Sequence, residues 1–109
     1  MRILVKESGG VNVVEVDGEV DLGTSPDLRQ TLFDLLSKKP RLALNLGGLR
    51  YIDSSGIATL LEVLKSAQRL QKDFVLFGLS PGVQNAFRLT HVNRLFRIVE
   101  TEEQALAPA

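Results

Sequence analysis

Hydrophobic residues in the first third of the chain indicate two strands followed by a helix. Arg2–Lys6 and Val11–Val16 are short apolar runs, and the Gly9-Gly10 turn between them predicts a hairpin. Gly18–Gly23 interrupts this pattern and is expected to be an irregular loop. Ser25-Pro26 is typical of a helix N-cap with proline at the first helical position. Helical spacing then joins Leu28, Leu32, Leu35 and Leu36 on one face.

The rest of the chain alternates between strand and helix patterns. Strands are predicted at Arg41–Leu46, Asp73–Gly78 and Leu95–Val99. A second helix is expected to bury Ile57, Leu60, Leu61, Leu64 and Ala67 and to expose Thr59, Glu62, Ser66 and Arg69. A third helix follows Ser80-Pro81, and a capping box at Thr101 opens a fourth.

The order β-β-α-β-α-β-α-β-α predicts an α/β fold. Because strands separated by helices pair in parallel, we expect a mixed sheet with an N-terminal hairpin, a largely parallel remainder and about four covering helices. A chain of 109 residues suits a single domain spanning 1–109, with its last few residues flexible.

Composition narrows the classes of partner. The formal net charge is zero, whereas binding to nucleic acid or an anionic membrane favours a basic surface. The chain has no cysteine, which excludes disulfides, thiolate metal sites and a cysteine nucleophile. Met1–Lys6 is too short to resemble a signal peptide, and no apolar run approaches the roughly 20 residues that span a bilayer. We therefore expect a cytoplasmic protein with no nucleic-acid or membrane partner.

Asp53-Ser54-Ser55-Gly56 lies where a strand pattern gives way to a helical one. Either Asp53 or Ser54 can be the N-cap of an ordinary helix. A serine hydroxyl at this position is also close to the positive end of the helix dipole, which favours a phosphoryl group. Both interpretations remain open on the residues alone.

Glu19-Val20-Asp21 follows the second strand and is expected to reach the same edge of the sheet as Asp53. Asp21 and Asp53 would then flank the serines. They could bind Mg²⁺, orient a hydroxyl toward a kinase, or cap helices. Two carboxylates alone make a weak metal site, so we predict no metal.

Catalytic motifs are absent from the sequence. A serine hydrolase of the common type has Gly-x-Ser-x-Gly and a histidine base, whereas this chain has Asp-Ser-Ser-Gly and one histidine, His91. It has neither a phosphate-binding loop with Gly-Lys-Ser/Thr nor a Gly-x-Gly-x-x-Gly fingerprint. We expect no catalytic residues and no cofactor.

The residues resemble the STAS-domain anti-sigma factor antagonists of bacteria over essentially the whole chain. The resemblance rests on Asp17–Asp21, Leu42–Leu46, Leu49–Ile57 and Val75–Pro81, in this order and spacing. It implies a small α/β domain without catalytic activity. It also implies a partner-switching cycle in which the antagonist binds an anti-sigma factor that is a serine kinase with a histidine-kinase-like ATPase fold, and thereby releases the sigma factor.

Phosphorylation ends this binding in the family, and a metal-dependent serine phosphatase restores it. The modified residue is the first hydroxyl after the aspartate, here Ser54, with Ser55 the weaker candidate. The resemblance assigns Asp21 to contacts with the partner, beside Asp53 and Ser55. Gly56 would admit a partner backbone, and Thr24 and Ile57 could supply contact surface. Nothing in the sequence requires more than a monomer.

Two other functions remain open. The chain could be a STAS module of another bacterial signalling assembly, such as a stress-sensing complex, which would co-purify as a large particle. It could instead be a small nucleotide-binding protein or weak hydrolase, whose activity would depend on Asp21 or Ser54.

Overall fold

A computed structural model describes residues 1–108 and contains six strands and four helices. The strands are β1 (Arg2–Ser8), β2 (Val11–Val20), β3 (Arg41–Asn45), β4 (Leu49–Ile52), β5 (Asp73–Phe77) and β6 (Arg97–Val99). The helices are α1 (Ser25–Leu36), α2 (Ser54–Arg69), α3 (Pro81–Leu89) and α4 (Glu102–Leu106). The prediction of a flexible C-terminus concerns in part Ala109, which lies outside the described residues.

The strands form one mixed sheet in the order β1-β2-β3-β5-β6, with β4 paired to β2. β1 and β2 are the antiparallel hairpin, and every other pairing is parallel. The predicted hairpin and largely parallel remainder are therefore confirmed. β3 pairs with the first half of β2 and β4 with its last residues, so the long strand β2 carries both.

The region around β4 corrects two predictions. Gly18–Val20 is not an irregular loop but the end of β2, which pairs with the unpredicted strand β4. The register shifts between Gly18 and Glu19, and Gly18 has a φ of +99°, a conformation that favours glycine. This bulge lets β2 continue three residues beyond the point where the alternation of its sequence breaks.

Helices α1, α2 and α3 cover the main core, whereas α4 covers a smaller cluster that includes Val13, Val75 and Ala105. The face of α2 was predicted only in part. Thr59 and Ser66 are buried rather than exposed, and Leu61 and Leu64 are only half-buried. Because α2 packs against α1 as well as against β4 and β5, small polar side chains are buried along with the apolar ones. In the part of the chain described, no helix is long and apolar enough to cross a membrane.

Candidate functional site

Two parallel strands end side by side at one edge of the sheet. Val20, the last residue of β2, is paired with Ile52, the last residue of β4. The backbone N–H of Asp53 then donates to the carbonyl of Val20 over 3.1 Å. Asp21 and Asp53 are the next residues of the two strands, so the expectation that their loops reach the same edge is confirmed.

Asp53 is the N-cap of α2. Its Oδ1 accepts hydrogen bonds from the backbone N–H groups of Ser55 at 2.9 Å and of Gly56 at 3.1 Å. The hydroxyl of Ser55 also donates to this oxygen, and together these bonds hold the pKa of Asp53 below its usual value. The Ser55 hydroxyl is the largest cause and the N–H of Gly56 the next, while desolvation opposes them. The capping role thus falls to Asp53 rather than Ser54.

The two serines of the site differ in what their hydroxyls do. Ser55 is half-buried, donates to Asp53 over 2.5 Å, and accepts a longer bond of 3.4 Å from the hydroxyl of Ser25. Ser54, the first residue of α2, has an exposed side chain. Within residues 1–108 its hydroxyl forms no hydrogen bond to another side chain or to the backbone. The fold therefore uses Ser55 internally and leaves Ser54 available.

The loop between β2 and α1 is held by hydrogen bonds around Asp21. Its Oδ1 accepts from the backbone N–H groups of Gly23 at 2.9 Å and Thr24 at 3.1 Å. Thr24 Oγ1 in turn accepts from the N–H of Asp21 at 2.9 Å. This reciprocal arrangement fixes a tight turn and gives Asp21 and Thr24 a structural role in it.

Leu22 is the residue that this turn presents to solvent. Its side chain is 77% exposed, the highest exposure among the large apolar residues of the described chain. The N–H of Leu22 also contributes to the lowered pKa of Asp53, so its backbone lies beside the start of α2. Sequence analysis missed Leu22, although an apolar residue between Asp21 and Gly23 in a turn is a signal that could have identified it.

The start of α1 differs from its prediction. α1 begins at Ser25, with Thr24 as the N-cap residue, and Ser25 is buried instead of acting as a cap. The carbonyl of Asp21 accepts from the N–H groups of both Thr24 and Ser25, at 3.2 and 2.8 Å, which draws the first turn toward the loop. The hydroxyl of Ser25 consequently points to Ser55.

Gly56 and Ile57 face inward. Ile57 is 6% exposed and belongs to the main core, so it presents little surface to a partner. A β-carbon on Gly56 would lie 2.6 Å from Ile52 Cγ1 and 2.7 Å from Val20 Cγ1. Glycine is therefore required here by packing between α2 and the two strand ends. Burial argues against both residues as direct partner contacts.

The alternative of a Mg²⁺ site gains no further ligands from the fold. Across residues 1–108 there is no group of three or more histidine, cysteine, aspartate or glutamate side chains that could hold a metal ion. Asp21 and Asp53 each direct an oxygen at backbone N–H groups, which is the geometry of loop and helix capping.

Comparison with known proteins finds one matching family and several similar proteins. Residues 2–105 match the family model described as the STAS domain. The anti-sigma-B factor antagonist of Staphylococcus aureus is 29% identical over 83% of this chain and 84% of its own length.

Solved structures agree with this match. An anti-sigma factor antagonist from Mycobacterium paratuberculosis has a TM-score of 0.87 and 26% identity, covering 96% of this chain and 90% of that one. The Bacillus cell fate determinant SpoIIAA in its phosphorylated form has a TM-score of 0.73 and 18% identity, covering 96% of each chain. At that identity the second likeness shows the fold alone.

Proposed function

The chain belongs to the STAS domain family, and we propose that it is an anti-sigma factor antagonist switched by phosphorylation of Ser54. In its unmodified form it would bind an anti-sigma factor that is also a serine kinase, and so release a sigma factor. The names of its relatives support the first part of this proposal. The hydroxyls at the start of α2 support the second.

The observation that carries the proposal is the contrast between Ser54 and Ser55. A kinase needs a hydroxyl that can leave the fold's own hydrogen bonds and reach the γ-phosphate of ATP. Ser54 is exposed at the first position of α2, whereas the hydroxyl of Ser55 is bonded to Asp53. Phosphorylating Ser55 would break that bond and place charge against the carboxylate, which costs free energy.

A phosphoryl group on Ser54 would be tolerated by the fold and resisted by a partner. The N-terminus of a 16-residue helix favours an anion. The group would also bring about −1.5 to −2 charges to the edge where Asp21 and Asp53 already lie. A partner seated on this edge would have to desolvate that charge, so its affinity falls.

The contact surface we propose consists of the β2–α1 turn and the exposed start of α2. Hydrogen bonds from Asp21 and Thr24 fix the turn, so Leu22 is presented without a further ordering cost. Leu22 would insert into an apolar pocket of the kinase, close to Ser54. Asp53 and Ser55 would shape the surface, and Gly56 and Ile57 would support it from within.

The remaining features of the proposal follow the family. The partners are a serine kinase with a histidine-kinase-like ATPase fold, and a serine phosphatase that removes the phosphoryl group. The chain itself would act in the cytoplasm as a monomer, without catalytic activity or cofactor and without binding nucleic acid or membrane.

The experiment is a calorimetric titration of the kinase with the wild-type chain, Ser54→Ala and Ser54→Asp. We expect wild type and Ser54→Ala to bind alike, and Ser54→Asp to bind about 5- to 150-fold more weakly. Addition of ATP and Mg²⁺ should release wild type but not Ser54→Ala. Ser8→Asp is the matched control, because Ser8 is an exposed serine at the end of β1 and pairs with Val11, at the far end of β2 from the site. Equal binding of all four chains would contradict the proposal.

A further inference from the structure

Strand β6 leaves one edge of the sheet open. It is the last strand in the order β1-β2-β3-β5-β6 and pairs with β5 alone. The carbonyl of Val99 faces β5, since it accepts the N–H of Gly78 over 3.3 Å. Backbone polar groups of successive residues in a strand point to opposite sides. The N–H and carbonyl of Ile98 therefore point outward, where no strand of residues 1–108 pairs with them.

Recesses flank this open edge on both faces of the sheet. On the side of α3, two adjoining hollows of about 210 and 420 Å³ share Leu79, Gln84 and Ile98 in their walls, and together they form the α3-side recess. On the other side a hollow of about 560 Å³ is lined by Val99, Gln104 and Ala107, among others. The side chains of an added strand alternate between the two faces of the sheet, so the side chains on each face could enter a hollow on that face.

The edge at β6 lacks the charges that protect the opposite edge. On β1 the side chains of Lys6 and Glu7 are exposed, and charged edge residues oppose the addition of another strand. On β6 the single charged residue is Arg97. Its guanidinium is held over the sheet by Asp73, at 3.1 Å.

Two unpaired charges mark the ends of the recess on the α3 side. Arg88 lines the hollow near Asn93 and donates to the neutral Asn85 side chain at 3.0 Å. Glu100 lines the hollow at the other end. Neither residue forms a salt bridge within the described chain. A bound segment would gain from an acidic side chain near Arg88 and a basic one near Glu100.

We propose that the open edge of β6 binds an extended segment of a partner protein as an added strand, with apolar side chains in the α3-side recess, an acidic residue at Arg88 and a basic residue at Glu100. The site is separate from the surface around Ser54, because β3 and β5 lie between β6 and β2. At about 4.8 Å per strand, roughly 14 Å of sheet separates β6 from β2, the strand that leads into the Asp21 turn. The chain would then keep a second partner bound at β6 while the partner at the surface around Ser54 binds and is released.

The test uses the capped heptapeptide Lys-Thr-Val-Thr-Val-Thr-Asp as the probe, because in an extended strand its lysine, valines and aspartate lie on one face. The readout is ¹H–¹⁵N NMR spectra of the whole chain. We expect shift changes centred on Ile98, Val99 and Gln84 at peptide concentrations up to about 5 mM. The same peptide with N-methylated valines keeps its charges but cannot form the strand hydrogen bonds, and should bind at least about 5-fold more weakly.

Charge reversal supplies the second arm. Arg88→Glu should weaken binding of the heptapeptide about 3- to 10-fold. Arg94→Glu makes the same change at an exposed arginine that does not line the recess, and should leave the affinity unchanged. The proposal is overturned if no shifts occur along β6, if the N-methylated peptide binds equally, or if both arginine variants lose affinity alike.

Discussion

The hydroxyl of Ser55 donates a hydrogen bond to Oδ1 of Asp53, 2.5 Å away, at the first turn of α2. This bond gives the two adjacent serines different roles. Ser55 supports the capping carboxylate and, through Ser25, touches α1. Ser54 precedes it in the chain and keeps an exposed hydroxyl. The two hydroxyls thus differ in their hydrogen bonds within the fold. The assignment of Ser54, rather than Ser55, as the phosphorylated residue can therefore be tested.

Replacing Asp53 by alanine should destabilise the chain. The carboxylate satisfies two N–H groups at the start of α2, and loss of such a cap costs about 0.5–2 kcal/mol. Urea unfolding of Asp53→Ala would measure this. Asp53→Asn is the control, because an asparagine side chain can still accept both bonds and should recover most of the loss. If both variants are as stable as wild type, the cap does not contribute as described.

The stability contributed by the charge of Asp53 should disappear in acid. Its pKa in the folded chain lies below its usual value of 3.8, so the folded state binds the proton less readily than the unfolded state. The contribution is present above the unfolded pKa and is lost as the pH falls through the folded one. The difference in unfolding free energy between wild type and Asp53→Asn should therefore shrink as the pH falls from above 3.8 to below the lowered pKa of Asp53. A difference that is constant over this range would contradict the lowered pKa.

Gly56→Ala should be destabilising although alanine is the better helix former. The new methyl group would approach Ile52 and Val20 to within 2.7 Å, and overpacking of this kind costs about 1–3 kcal/mol. This exceeds the gain in helix propensity of at most about 1 kcal/mol. Gly10→Ala is the control, because its methyl group would lie 4.0 Å from the nearest atom, Pro40 Cδ. Thermal melts showing the two variants equally stable would refute the packing role of Gly56.

Leu22→Ala should weaken binding of the kinase without altering stability. The side chain is 77% exposed, so its removal should change the unfolding free energy by less than about 0.5 kcal/mol. As a contact that fills a pocket it should contribute about 1–2 kcal/mol, or roughly 5- to 30-fold in affinity. Leu89→Ala removes a side chain that is 70% exposed at the end of α3 and serves as the control. Equal affinities for the two variants would exclude Leu22 from the interface.

Most of the strands and helices could be predicted from the sequence, because their apolar residues recur with different periods and several helices begin with recognisable capping residues. Ser80 caps α3 by accepting from the N–H of Val83, and Thr101 forms the predicted capping box with Gln104. The strand β4 could not be predicted in this way. In its four residues, Arg50 and Tyr51 are exposed between the buried Leu49 and Ile52, which is neither an alternating nor a continuous pattern. β4 depends instead on tertiary pairing with β2.

The site shows the same division between local and tertiary causes. Asp53, Ser54 and Asp21 were predicted from the motif and the resemblance, and their strand ends do meet. The difference between the two serine hydroxyls could not be derived from the residues, because it depends on which residue caps α2, and Asp53 is that cap and accepts the hydroxyl of Ser55. Leu22 was missed for a related reason, since its exposure depends on hydrogen bonds that hold the turn.

The most direct measurement is phosphosite mapping by mass spectrometry after incubation with ATP, Mg²⁺ and a lysate of the source organism. The wild-type chain and Ser55→Ala should each gain one phosphoryl group on Ser54, and Ser54→Ala should gain none. A phosphoryl group on Ser55, or an unmodified Ser54 in a lysate that phosphorylates a control substrate, would contradict the proposed switch.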